Sequence, residues 1–255
     1  MVRIIINSDD FGLNKAVNNA ISAAFKENLI TSTTSLVNFK EGLKDAVNLV
    51  NNNLIPKDSI GIHLNLTEGS PVSKDGTNCT RLCENGKFHG RIRNTPVFKL
   101  NTDEKSAILA ELESQITKFI STFGFVPSHI DGHHHIHTEW AILNIVIKLA
   151  KKHHIKKIRL TRNIGNGISP SKNIYKKILN LKLKFSGFVT TDYFGDFNDL
   201  SYFSIPQKCS LEIMVHALPA SIKDQINDID EKSLAKKVQN IKSSNNYGLI
   251  NYSQL

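Results

Sequence analysis

The chain has 255 residues, 40% hydrophobic and 22% charged, an ordinary balance for a folded domain, and no apolar run long enough to span a bilayer. Three cysteines without a CxxC pair exclude a disulfide framework and a zinc ribbon. A net charge of +9 admits an anionic partner, but its lysines lack the interleaved aromatics that stack on bases. A solvated lysine-rich surface is therefore expected and nucleic acid is not, with a phosphorylated small substrate as the exception of interest.

The sequence MVRIIINSDD runs straight into a strand-like segment with no basic leader or cleavage site, so a cytoplasmic protein is expected, and without an apolar run of spanning length no membrane partner is expected. Val2 to Ile6 reads as a strand ending at Asn7, Ser8, Asp9 and Asp10. Ala16, Val17, Ala20, Ile21, Ala24 and Phe25 then fall on one helical face, with Asn14 as its cap. Strands over Thr31 to Phe39 and Ser59 to Leu66 bracket a helix around Leu43 to Val50. Residues 69–100 break the rhythm with Pro, Gly and a Glu84-Asn85-Gly86 turn, which predicts an extended loop insertion carrying a hairpin. A helix from Asp103 to Phe123 follows, then a strand at Ser128 to Asp131, a helix over Glu139 to Lys152 and a strand at Lys157 to Thr161. The remainder predicts a helix at Ile174 to Leu181, strands at Phe188 to Tyr193 and Leu211 to Val215, a helix at Lys232 to Lys242 and a short run from Gly248 to Tyr252.

About eight strands separated mostly by helices predict parallel βα units in one domain spanning 1–255. Such barrels carry their sites at the C-terminal strand ends. Here those ends hold Asp9 and Asp10, Asn38, His63, Asp131 to His137, Arg159 and Arg162, Asp192, and His216. Two adjacent carboxylates are costly unless a cation or proton is shared, which a metal ligand beside a general base would resolve. Alternation puts His63 opposite Ile60, Ile62 and Leu64, as a ligand or as a satisfied interior histidine.

The stretch His129 to His137 holds five of the ten histidines. An extended backbone would put His129, Asp131, His133, His135 and His137 on one side and His134 and Ile136 on the other. His216 ends an apolar strand where a proton donor to a leaving group could sit. An Asp-His-His set with open positions is catalytic-type coordination, suited to amide or ester hydrolysis. No nucleophile elbow is present, and Gly165-Asn166-Gly167 is too short for a nucleotide-binding loop.

NSDDFGLN (Asn7 to Asn14), TSTTSLVNF, GIHLNLTEGSP, HIDGHHHIH and LEIMVHALP occur in the order of the YdjC-like (ChbG-like) carbohydrate deacetylase family, which the chain resembles over nearly its whole length. The resemblance implies a distorted (β/α) barrel of the polysaccharide-deacetylase type and one divalent metal, Mg2+ or Zn2+. It puts the metal ligands on Asp10, His63 and His133, the base on Asp9 and the general acid on His216. Asp131 and His135 are expected as substrate contacts or as outer contacts orienting His133. Arg159 would orient Asp9, bind a substrate anion or form a structural ion pair, and Asn38 would be a substrate or outer contact. His129, His134 and His137 receive no role. Two positions depart from the family pattern: Gly132 stands where Ser is common, and Ala217 replaces the usual Pro after His216, which bears on that histidine's orientation.

The expected activity is hydrolysis of an N-acetyl group on a small acetylated sugar, a chitooligosaccharide or its phosphate. The alternatives are hydrolysis of another bond, such as a phosphoester, and a non-catalytic sugar-binding relative. A homodimer would suit the family.

Overall fold

A computed structural model describes residues 1–94, 100–166, 169–220, 225–242 and 247–255. In chain order the elements are β1 (Val2–Phe11), α1 (Lys15–Lys26), β2 (Ser32–Ser35), α2 (Lys40–Asn51), β3 (Ile60–Leu64), α3 (Lys74–Asn78), β4 (Cys83–Glu84) and β5 (Lys87–Phe88). There follow α4 (Thr102–Phe123), β6 (Ile130–Gly132), α5 (Trp140–Lys152), α6 (Pro170–Phe185), β7 (Tyr193–Asp196), β8 (Ser210–Val215), β9 (Leu218–Pro219), β10 (Ile226–Asn227), α7 (Leu234–Lys242) and β11 (Tyr247–Leu249).

Seven strands form one sheet in the order β6-β3-β2-β1-β8-β7, with β11 beside the start of β1, and every pairing is parallel. Parallel pairing buries both faces, and Ile4, Ile5 and Ile6 of the central β1 are accordingly all inaccessible. The sheet curls, and residues 157–163 span its open side. Ile158 bridges Ile130 of β6, Lys157 bridges Val189, and the Asn163 N–H donates to the Phe194 carbonyl of β7 at 3.2 Å. The expected strand at Lys157 to Thr161 is thus a seam of single bridges, and the barrel is distorted there.

The helices start and stop where their end residues dictate. Asn14 caps α1 by accepting from the Val17 N–H, as expected, and α1 buries Val17, Ala20, Ile21 and Ala24. A capping box of Asn101 and Glu104 opens α4, and Gly124 at φ 79° closes it. The 69–100 segment is more ordered than the loop expected from sequence. It holds α3 and the β4–β5 hairpin, whose turn residues Asn85 and Gly86 both have positive φ. Glu111 of α4 ties it down, accepting from the Val72 and Ser73 N–H groups. Residues 95–99 of that segment, and Gly167 of the Gly165-Asn166-Gly167 run, lie outside the described residues.

Candidate active site

All sheet strands point the same way, so their C-terminal ends meet at one mouth. Asp9 and Asp10 are consecutive, and a regular strand would send their side chains to opposite faces. The β1–β2 register shifts between Ser8 and Phe11, and Asp10 has φ 70°, a left-handed conformation that Asp tolerates better than most residues. This bulge aims both carboxylates inward.

Asp10 Oδ1 lies 3.3 Å from His63 Nε2 and 2.9 Å from His133 Nδ1. The three donor atoms lie within 4.8 Å of one another. That spacing is near what ligands adopt around an ion bonded at about 2.1 Å. Each imidazole is turned by a carboxylate on its other nitrogen. His63 Nδ1 meets Asp131 Oδ1 at 2.7 Å, its partner directly across β3 and β6, and His133 Nε2 meets Glu68 Oε2 at 2.8 Å. Asp131 therefore reaches His63 and not His133, because strand register pairs it with His63.

Arg159 lies beneath this layer, fully buried. Its guanidinium donates to both oxygens of Asp9 at 2.7 and 2.9 Å, to Asp131 at 2.7 Å and to Glu212 at 2.7 Å. It is fully engaged and closed to solvent, so of the readings open from sequence the geometry favours orientation of Asp9 over contact with a substrate anion. Asn7 adds a third bond to Asp9, at 2.9 Å. Burial would raise Asp9, but the Arg159 guanidinium holds it well below the usual carboxylate range. Glu212, held by Arg159 and by the Tyr252 hydroxyl, is pushed by burial up to about 7.

Among the described residues, Asp9, Asp10, Asp131 and Glu212 crowd one interior with Arg159 as the single permanent cation. Burial opposes charge on His63, yet Asp131, Asp10 and Asp9 outweigh it and raise the imidazole to about 10. A site that draws a proton onto a buried histidine is one that accepts a cation. Two imidazoles and one carboxylate suit a divalent ion, and the residues present fit that group. A second possible set, Asp9, His63 and Asp131, is neutralised by Arg159. A third, Glu68, His133 and His134, is largely exposed.

His216 Nε2 is 3.8 Å from Asp10 Oδ2. Its backbone is fixed on both sides: its N–H donates to Asp228 at 2.9 Å, and the Ala217 N–H donates to Ser8 Oγ at 3.1 Å. Proline at 217 would lack that second donor, so Ala217 anchors the histidine by a bond that Pro cannot make.

The histidine-rich stretch is not extended beyond Gly132. His133 to Thr138 is a 3₁₀ turn in which His134 and His135 have φ of 51° and 59°, which breaks the expected alternation. His134 is exposed and meets Thr67 Oγ1 at 3.0 Å. His135 rests against the Phe194 ring, where burial lowers it to about 3, and it hydrogen-bonds neither His133 nor Asp10 among the described residues. His137 is buried, and burial holds it well below the usual histidine range. His129 is stacked on Tyr252 with centroids 3.6 Å apart, and it fits because Gly61 has no Cβ, which would fall 2.5 Å from its ring. Asn38, between β2 and α2, is engaged with the loop after β3, donating to the Glu68 and Ser70 carbonyls. Asp192 caps the start of β8 through Ser210, and Arg162 pairs with Asp199 and Asp196.

Thr34, Glu68, Glu212 and Tyr252 were not singled out from sequence. Thr34 Oγ1 donates to Asp131 at 2.9 Å. Glu212 carried a readable signal: counting by twos back from His216 puts it on the same inward face. Tyr252 carried none, since its partner is 40 residues away.

The family described as YdjC-like protein matches residues 3–243. A carbohydrate deacetylase of Clostridium beijerinckii is 37% identical over 231 residues, covering 84% of this chain and 81% of that protein. A chitooligosaccharide deacetylase of Proteus mirabilis is 36% identical over 149 residues, 58% of this chain and 55% of the relative. A crystal structure of an Enterococcus faecalis V583 protein superposes with a TM-score of 0.73 at 23% identity, over 99% of this chain and 98% of that one, which speaks to the fold alone.

Proposed function

The chain belongs to the YdjC-like protein family, and from that premise we propose that it is a metal-dependent carbohydrate N-deacetylase acting on a small N-acetylated amino sugar. The observation that carries the reading is the division of labour between Asp9 and Asp10: one is clamped by Arg159, the other is shared by two imidazoles.

Asp10, His63 and His133 would hold the ion, Zn2+ or another divalent cation. When bound, such an ion polarises an acetyl carbonyl and makes a water molecule easier to deprotonate. Asp9 is the carboxylate not needed as a ligand, its charged form favoured by Arg159, and it would take the water's proton as the oxygen attacks the acetyl carbon. Arg159 keeps its carboxylate in one orientation throughout. His216, anchored through Asp228 and Ser8, would donate a proton to the amine nitrogen as the C–N bond breaks. The products are acetate and a free amino sugar. General acid and base steps of this kind each contribute about two to four orders of magnitude.

The test is an assay of acetate and phosphate release from N-acetylated mono- and disaccharides, with and without a phosphate, after metal reconstitution. Stoichiometric acetate abolished by a chelator is the expected result. Phosphate without acetate would assign the site to phosphoester hydrolysis, and tight sugar binding with neither product would make the protein a binder.

A further inference from the structure

The mouth of the barrel uses acids and imidazoles, and it leaves the chain's positive charge unexplained. From Trp140 to Thr191 the sequence holds twelve Lys and Arg and no Asp or Glu. This acid-free stretch includes α5 and α6. Toward the core, α6 buries Leu179, Asn180 and Leu183. Away from it, Ile174, Ile178, Leu181 and Phe185 are 61, 46, 51 and 87% exposed. Their spacing of four, three and four residues aligns them as one ridge along the helix. Lys177 and Lys184 stand exposed along one side of it. Lys182 folds over Trp140, its ammonium 4.6 Å from the ring centroid. Among the described residues, no lysine of α6 takes part in a salt bridge.

Isolated exposed apolar residues are ordinary, but four large ones in register on one helix are not. Charge and shape decide what would cover them. If two copies paired ridge to ridge about a two-fold axis, Lys177 and Lys184, each one residue before a ridge position, would face the same lysines of the other copy. That pairing opposes like charges along its whole length. A polyanion such as a nucleic acid would satisfy the lysines yet leave the three aliphatic residues of the ridge in water. A lipid surface with anionic headgroups satisfies both. The ridge enters the boundary of the acyl chains, lysine stems extend along it to the phosphates, and a convex helix needs no matching groove.

We propose that α6 is a peripheral docking helix for an anionic phospholipid surface. No helix of the described residues is long and apolar enough to cross a membrane, so the contact is superficial. The helix connects 157–163 to Val189, which pairs in parallel with Lys157, so it runs back along the barrel wall. A bilayer against it lies beside the wall and leaves the strand ends open to a water-soluble substrate.

The experiment is sedimentation of the intact protein with vesicles of phosphatidylcholine alone or mixed equally with phosphatidylglycerol. The protein should pellet with the mixed vesicles and stay in solution with phosphatidylcholine. Partitioning should fall by at least about tenfold in an Ile178→Ser, Leu181→Ser double variant. It should fall similarly in a Lys177→Glu, Lys184→Glu variant and when salt is raised to about 0.5 M. Both pairs are solvent-facing, so an unchanged thermal melt separates lost docking from lost fold. The proposal is overturned if the wild type ignores the mixed vesicles. It is equally overturned if the serine variant binds as well as the wild type, which would make the lysines a general polyanion site. A wild-type dimer that the serine variant dissolves would assign the ridge to a second copy instead.

Discussion

Arg159 engages both oxygens of Asp9 and none of Asp10, so neutralising either carboxylate should have a different consequence. In Asp9→Asn, Arg159 keeps Asp131 and Glu212, and the imidazoles keep Asp10. Turnover measured by acetate release should fall by about two to four orders of magnitude, while bound metal measured by mass spectrometry stays near the wild-type level. Near-normal turnover in that variant would remove Asp9 as the base. Glu68 acts at the other end of the site. It is more than half exposed, yet its carboxylate meets His133 Nε2 and turns Nδ1 toward Asp10. Glu68→Ala should weaken metal affinity by about 10–100-fold, read by competition with a chelator, and excess metal should restore activity. Equal affinities in the two proteins would reduce Glu68 to a surface residue.

At the scale of elements, the strands and helices were legible because their apolar spacing is regular. β3 and β8 fall where alternation and β-branching put them, β1 runs on to Phe11 past its expected end at Ile6, the strand expected at Phe188 to Tyr193 forms at Tyr193–Asp196, and α1 begins at its Asn14 cap. The site was legible as a set of residue types at strand ends, and less so as contacts. Nothing in NSDDFG announces the bulge that turns Asp9 and Asp10 the same way, because a bulge is a property of pairing with β2. Nor could spacing foresee that two left-handed histidines end the extended run at Gly132, or that Asp131 would meet His63 through register with β3. The largest omission is the turn over Tyr252–Gln254, which places Tyr252 beneath Arg159 with its hydroxyl on Glu212 and its ring on His129. Tyr252→Phe keeps the ring and removes the donor, leaving a buried carboxylate oxygen short of one hydrogen bond. That should cost about 1–3 kcal/mol. A chain of this size loses roughly 2–4 °C of melting temperature per kcal/mol, so a calorimetric scan should show the drop. An unchanged melt would mean that Glu212 is already satisfied without the tyrosine.

For the whole molecule, the proposed ion would act as a clasp. Its ligands come from β1, from β3 and from the turn after β6, with β2 lying between the first two, so one ion would tie together the ends of four neighbouring strands. Without it, a proton takes part of that place. The carboxylates raise His63 to about 10 from 6.5 against the effect of burial, so the folded metal-free protein holds a proton that the unfolded chain loses above pH 6.5. The His63 contribution to metal-free stability is therefore fully present below 6.5 and disappears as pH rises through 10. A metal needs the neutral imidazole and must displace that proton. Binding at neutral pH should release close to one proton, measured by titration calorimetry in buffers of different ionisation enthalpy, and apparent affinity should climb with pH by up to about tenfold per unit across that window. Asp131→Asn removes the carboxylate on His63 Nδ1, so both the proton count and the pH slope should shrink in that variant. At a hundredfold excess over Kd the ion adds about 2.7 kcal/mol of stability, a rise of roughly 5–10 °C in melting temperature that a chelator should reverse. Metal that binds with no proton released and no change in melting would have to sit somewhere other than on Asp10, His63 and His133.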